Sequence, residues 1–291
     1  MTDLARNVPI LMRAADLLAR YDVVFCDVWG VVHNGRTAYV DGCAALERFR
    51  AAGGTVVLVS NAPRSGPTVA EILADKDVPT TSWDDIVSSG EIARAHTLAQ
   101  GYTAIHHIGP DRDLDVFDNL AVARVPLSAA QAVFATGLID DQNETGEDYR
   151  AMLKPARERG LSFICANPDL VVDVGGTLLP CAGSIATVYE SMGGPVFWAG
   201  KPHASAYHMA HRAAQRLRGT SVSKDRILAI GDAVRTDIAG ASQYGIESLF
   251  IGQGIHREAV MPSGELDRDA LDTLLADSPH QPIAAMATLA W

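Results

Sequence analysis

Four stretches of the chain end in side chains able to take part in chemistry. The run DVVFCD closes on Asp27, TVVLVS closes on Ser60 and is followed by Asn61, RILAIG is followed by Asp232, and AGKPH carries Lys201. Asp27 sits where a nucleophile would project from a strand end. Lys201 supplies a cation just ahead of a segment with helical spacing. Each has an ordinary reading when taken singly: an Asp at a strand end is more often structural, Ser60 would be a helix cap, and Lys201 a solvated lysine. Three of the four, however, follow buried apolar runs. In a doubly wound parallel sheet the carboxyl ends of all strands lie along one edge, where ligands bind, so residues as distant in sequence as Asp27 and Asp232 meet in one crevice.

The elements needed for such a sheet are readable. Apolar residues from Pro9 to Arg20 fall at helical spacing, DVVFCDV reads as a buried strand, a helix spans about Gly42 to Ala52, and TVVLVS is a second strand. The helical segments PTVAEILAD and SGEIARAHTLAQ, with DDIVS as a short strand, carry the βα alternation to about Gly101. The rhythm then restarts. YTAIHHI, QAVFATG and LSFICA are strand candidates, with helices near Glu147–Arg159 and Ser184–Met192, and this segment has the size of a small inserted domain. Beyond Gly200 follow a helix over ASAYHMAHRAAQRLR, the strand RILAIGD, a helix from about Thr236 to Tyr244, and the strand IESLFIG. LDRDALDTLLADS and PIAAMATLAW read as terminal helices. The expected fold is α/β: a doubly wound, Rossmann-like parallel sheet from residues 1–101 and 196–291, interrupted by an α/β domain over 102–195.

Composition narrows the partners. Thirty-five acidic against 24 basic side chains give a net charge of −11, which disfavours nucleic acid and an anionic membrane surface. It does not disfavour an anionic small substrate, because dipoles and a bound cation dominate at short range. Cys26, Cys43, Cys165 and Cys181 form no CxxC pair and read as buried thiols of a reducing compartment. No secretory segment or run of about eighteen apolar residues is present, and the expectation is a cytoplasmic protein. Two other phosphate motifs fail: GGPVFWAGKP has Pro195 where a P-loop needs glycine and Pro202 where it needs a hydroxyl, and Gly252-Gln253-Gly254 lacks the third glycine of a dinucleotide fingerprint.

In order along the chain, Asp27, Ser60, Lys201 and the segment GDAVRTD from Gly231 to Asp237 resemble the four motifs of haloacid dehalogenase-like phosphohydrolases. Gly30-Val31, Gly35, Asp41-Gly42, VSNAPR, ANPD and AGKP bring the resemblance closer to the class IIA, NagD-like branch, over about residues 20–252. The resemblance implies that Asp27 is a nucleophile forming an aspartyl phosphate. It implies Mg²⁺ held by Asp27, the Trp29 carbonyl and Asp232, with Asp237 orienting the lysine or a metal-bound water. Ser60, the amides after it and Lys201 would serve the phosphoryl oxygens. Segment 102–195 takes the place of the class II cap, which covers the active site and selects a small phosphorylated metabolite. Caps of this type also contribute to homodimers, although no interface motif is readable here. Asn61, Asn167 and Asp169 are candidate substrate contacts; for the last two, turn closure is the preferred reading. His106 and His107 read as packing residues.

The departure is Trp29. Most members of the family carry there an Asp that protonates the leaving oxygen and then activates water, which Trp cannot do. Loss of such assistance slows ester hydrolysis by about 10²–10⁴-fold while sparing binding. Because the middle metal ligand is a main-chain carbonyl, the metal site survives the replacement. His33 has a suitable ordinary pKa for the missing acid, but packing is the preferred reading of that position. The leading expectation is therefore a Mg²⁺-dependent phosphohydrolase with weakened general acid catalysis. The alternatives are a phosphate-ligand sensor and an enzyme cleaving a non-ester bond through Asp27.

Overall fold

The computed structural model describes residues 8–174 and 177–291. In chain order the first elements are α1 (Ala15–Leu18), β1 (Val23–Cys26), α2 (Val40–Ala51), β2 (Thr55–Ser60), α3 (Gly66–Ala74), β3 (Asp85–Ser88) and α4 (Ser89–Ala99). A second series holds β4 (Ala104–Ile108), β5 (Ala123–Arg124), β6 (Ala132–Ala135), α5 (Arg150–Glu158), β7 (Ser162–Cys165), β8 (Val171–Val174), β9 (Thr177–Pro180), α6 (Ala182–Ser191) and β10 (Val196–Trp198). The chain ends with α7 (Ala204–Arg218), β11 (Ile227–Gly231), α8 (Ala239–Tyr244), β12 (Glu247–Ile251), α9 (Arg257–Val260), α10 (Arg268–Ala276) and β13 (Ala284–Met286).

The fold is α/β. A six-stranded sheet has the order β13-β12-β11-β1-β2-β3. Its central strands are buried along their whole length, as expected of a parallel sheet covered on both faces, and this is why they read as unbroken Val/Ile/Leu/Phe runs. Val23 pairs in parallel with Thr55 on one side and with Ile227 on the other. The chain leaves β1 in one direction to β2 and β3, and later returns on β1's other side to β11, β12 and β13. The reversal between β1 and β11 is the topological switch point of a doubly wound sheet, where the carboxyl ends open a crevice.

A second, five-stranded sheet has the order β10-β7-β6-β4-β5, with every pair parallel, and β8 and β9 form a separate antiparallel pair. Its core packs Val133, Leu153, Phe163, Ile185 and Tyr189, and the Tyr189 hydroxyl donates to the Leu161 carbonyl at 2.7 Å. By packing, the described residues divide into two compact units. One comprises the described part of Met1–Ser60 with Ala70–Ile86 and Tyr207–Trp291, and the other Asn61–Val69 with Val87–Ala206. Helix α4, strand β10 and the Lys201 loop thus pack with the second sheet.

Both chain ends depart from the sequence expectation. Of the helix expected over Pro9–Arg20 only Ala15–Leu18 is helical, and PIAAMATLAW contains strand β13 instead of a helix. Ala285 accounts for both: it pairs with Phe250 of β12, accepts from the Leu11 amide at 2.8 Å and donates to the Pro9 carbonyl at 2.9 Å. The open edge of β12 offers backbone groups that must be paired when buried, and this requirement outweighs the helix preference of an Ala-rich stretch. Beyond Asp232, Val234–Ile238 forms a π-turn before α8 begins, so the expected Thr236–Tyr244 helix is tightened only from Ala239. β10 runs to Trp198, past the expected boundary at Pro195. All four cysteines are free and buried. Among the described residues no helix is long and apolar enough to cross a membrane.

His106 and His107 lie in β4 and are engaged within the second unit. The His106 Nδ1 meets the Val125 carbonyl at 3.1 Å, and the His107 Nε2 meets Thr136 Oγ1 at 2.9 Å with its ring edge-on to Phe117. Burial, then the positive charge of Arg124, pulls the His107 pKa from 6.5 down to about 4. Between these values the unfolded chain binds a proton that the folded one refuses, so the His107 contribution is complete above about pH 6.5 and is lost as pH falls towards 4. The melting temperature of His107→Gln is expected to fall less steeply than that of the wild type over this range. Parallel melting curves at pH 7, 6, 5 and 4 check this; equal slopes would remove His107 from the account.

Candidate active site

At the switch point three carboxylates converge. Asp27 follows β1, Asp232 follows β11, and Asp237 lies in the π-turn; each offers an oxygen within 4.8 Å of the others, and all three side chains are buried. Sequential hydrogen bonding explains the alignment. The Asp27 amide donates to the Ile230 carbonyl at 2.8 Å, extending the β1–β11 ladder by one residue. Asp232 Oδ2 accepts from the Ile255 amide at 2.6 Å, and Asp237 Oδ2 from the Ala233 amide at 3.2 Å. The Tyr207 hydroxyl donates to the Asp237 carbonyl at 3.1 Å.

Glycine makes room for these carboxylates. A Cβ on Gly254 would stand 1.8 Å from Asp232 Oδ2, and one on Gly30, whose φ is +87°, 2.2 Å from the same atom. A Cβ on Gly231 would stand 2.1 Å from Asp237 Cγ. Gly254 belongs to the Gly-Gln-Gly segment that fails as a dinucleotide fingerprint; its part is to let the chain after β12 close over Asp232. A glycine just past a strand end was the available signal. Three buried carboxylates this close repel one another strongly unless a cation lies among them. A donor set of oxygens alone, without thiolate or imidazole, fits a hard divalent cation.

The Asp27 loop is tied back on itself. The Gly30 amide donates to the His33 carbonyl at 2.9 Å and the Tyr39 amide to the Val32 carbonyl at 2.8 Å. Trp29 is 39 % exposed, its ring edge-on to His33 at 5.3 Å and so close over Gly35 that a Cβ there would lie 2.6 Å from the indole. His33 is buried, its Nδ1 accepts from the Gly35 amide at 2.8 Å, and burial, then Lys76, pulls its pKa down to about 4. It is therefore a neutral, packed ring at neutral pH, in line with the preferred reading.

Ser60 is the last residue of β2, beside β1, in the same unit as the carboxylates. It does not cap α3, which begins at Gly66; Ser65 Oγ accepts from the Thr68 amide there at 3.3 Å. Asn61, Asn167, Asp169 and Lys201 belong to the second unit, and three of them meet. The Asn61 amide nitrogen donates to Asp169 Oδ1 at 2.9 Å and to the Lys201 carbonyl at 3.0 Å, and Asn61 Oδ1 accepts from the Lys201 amide at 2.8 Å. Asn167 Oδ1 accepts from the Asp169 amide at 3.1 Å, which closes the turn after β7 as expected. Ser89, which sequence reasoning did not single out, donates from Oγ to Asn61 Oδ1 at 3.4 Å.

A family described as haloacid dehalogenase-like hydrolase matches residues 24–123, and one described as HAD-hydrolase-like matches residues 198–277. A haloacid dehalogenase-like hydrolase from Brucella suis is 44 % identical, covers 96 % of this chain and 100 % of its own, and superposes with a TM-score of 0.83. A possible sugar phosphatase from Cytophaga hutchinsonii is 19 % identical, covers 96 % and 98 %, and has a TM-score of 0.76, a likeness of fold. A dihydroxyacetone phosphatase from Corynebacterium glutamicum is 27 % identical over 101 residues, which is 34 % of each chain, so this match spans about a third of that relative. The chain is a hydrolase and belongs to the haloacid dehalogenase-like family.

Proposed function

We propose that this protein is a Mg²⁺-dependent phosphatase acting on a small phosphorylated metabolite through an aspartyl phosphate on Asp27. The observation that carries the reading is the convergence of three buried carboxylates at the switch point of the main sheet. The phosphatases among the similar proteins support the substrate class. In this reading Asp27, the Trp29 carbonyl and Asp232 hold the cation, and Asp237 orients the groups around it. When bound, the cation neutralises charge on the phosphoryl oxygens. An oxygen of Asp27 attacks phosphorus, the bond to the leaving oxygen breaks, and water then cleaves the acyl phosphate to release phosphate and restore the carboxylate. By the family resemblance Ser60 hydrogen-bonds the phosphoryl oxygens and Lys201 offsets their charge. In this reading residues 102–195 are the cap domain and 1–101 with 196–291 the core domain, and the four buried free thiols favour a reducing, cytoplasmic compartment.

Trp29 sets the limit on this chemistry. It has no proton to give a leaving alkoxide, and His33 is held neutral with Nδ1 already accepting from Gly35. The same feature favours a second reading, a sensor that binds a phosphorylated ligand and turns it over poorly. Saturable binding without hydrolysis across a panel of esters would favour the sensor.

The site carries outcomes for binding and for turnover. Asp232→Asn and Gly254→Ala, the second by crowding the Asp232 carboxylate, are each expected to weaken Mg²⁺ binding at least about tenfold in calorimetry; wild-type affinity in Asp232→Asn would refute the metal assignment. Asp27→Asn is expected to abolish turnover, and nitrophenyl phosphate to be hydrolysed far better than alkyl phosphates relative to enzymes with the second Asp. Trp29→Asp is expected to raise alkyl-phosphate hydrolysis by some part of the general-acid factor of about 10²–10⁴. Its melting temperature is measured beside its rate, because the indole also packs the loop. A stable, Mg²⁺-binding Trp29→Asp protein with no gain on any ester would move the sensor or the cleavage of a non-ester bond ahead.

A further inference from the structure

Asn61 was expected as a substrate contact, yet its side chain is fully engaged by protein partners. A carboxamide has two donor hydrogens and two acceptor lone pairs. Both hydrogens are used, by Asp169 Oδ1 at 2.9 Å and the Lys201 carbonyl at 3.0 Å. Both lone pairs are used, by the Lys201 amide at 2.8 Å and, more weakly, by Ser89 Oγ at 3.4 Å. Asn61 is 7 % exposed, Lys201 4 % and Ser89 fully buried. The Asn61 amide thus grips the main chain of Lys201 from both sides, as a neighbouring strand would. The approach is tight: Gly200 has φ +122°, and a Cβ there would stand 2.6 Å from Asn61 Oδ1, 2.1 Å from Ser89 Oγ and 2.9 Å from Pro168 Cγ.

We propose that Asn61 is a positioning residue for Lys201, clamping the lysine's backbone and tying it to Asp169 in the Asn-Pro-Asp turn at the carboxyl end of β7. The inference rests on the proposed function only in giving Lys201 a part in turnover. The clamp itself stands on the hydrogen bonds. Its consequence is that the loop carrying the lysine takes its geometry from the edge of the second sheet, through one side chain 140 positions away. With no donor or acceptor left over, the Asn61 side chain has nothing to offer a substrate while the clamp is intact.

The test combines hydrogen exchange with a double-mutant cycle on the full chain. In Asn61→Ala the Lys201 amide loses its acceptor, and its exchange is expected to accelerate at least tenfold relative to the wild type. With p-nitrophenyl phosphate, Asn61→Ala is expected to lower kcat with KM changed less than twofold, and the Asn61→Ala/Lys201→Ala double variant to be no slower than Lys201→Ala alone. Asn61→Asp, of the same volume, keeps the acceptor and loses both donors, and is carried through the same kinetic cycle in case the alanine variant does not fold. Unchanged exchange at Lys201 in Asn61→Ala would overturn the clamp. Losses that multiply in the double variant, with KM raised by the Asn61 change, would make Asn61 a substrate contact instead. Full activity in Lys201→Ala would count against the proposed role of the lysine, and the exchange measurement would still decide the clamp.

Discussion

Three like charges in a buried space are the condition to which the main sheet is built. Asp27, Asp232 and Asp237 are buried and approach within 4.8 Å of one another, where their repulsion is weakly screened. The fold opposes this with main-chain donors. The amides of Ile255 and Ala233 point at two of the carboxylates, and the ladder bond from the Asp27 amide keeps β1 and β11 in register up to the last residue. Gly30, Gly231 and Gly254 complete the arrangement by having no side chain where the acids stand. The arrangement is costly without a cation, and it is this cost that prepares the site to take one.

The second sheet uses the same parallel grammar, with its polar groups paired among themselves. Its strands also end in polar or glycine-containing loops: Gly109 after β4, Thr136-Gly137 after β6, and Asn167-Pro168-Asp169 after β7. These groups satisfy one another. Thr136 meets His107, Asn167 closes its own turn, and Asn61 joins Asp169 to Lys201. Arg64, three residues beyond Asn61, pairs with Asp113 at 3.0 Å and Asp115 at 2.5 Å. A polar network so nearly saturated specifies one geometry, because moving any member strands a buried donor or acceptor.

Trp29 shows how an aromatic side chain can brace a loop. Its indole packs over Gly35 and against His33, and His33 in turn holds the Gly35 amide. The loop that follows Asp27 is thus braced by rings. Electrostatic stabilisation and proton transfer are separable contributions to phosphoryl chemistry.

The sheet interiors were legible because strands buried on both faces must be continuous runs of Val, Ile, Leu and Phe, and DVVFC, TVVLV and RILAI are such runs. The family motifs, ordered along these strand ends, likewise pointed to Asp27, Ser60, Lys201 and Asp232 from sequence alone. The second sheet is announced by the renewed rhythm after Tyr102, and its last strand, Val196–Trp198, is too short to show a period of its own. The chain ends differ from their sequence pattern because alanine-rich spacing suits a helix in isolation, while the open edge of β12 captures Ala284–Met286 as a strand. Local pattern records which faces are apolar, and so the sequence by itself determined the α/β class and the order of its strands' chemistry. Only the tertiary structure decided that Gly254 clears space for Asp232, that His33 is a neutral packed ring, and that Asn61 spends its amide on Lys201 and Asp169. Those partners lie far away along the chain, and a hydrogen bond or a steric clash exists only once folding has brought both atoms to the same place.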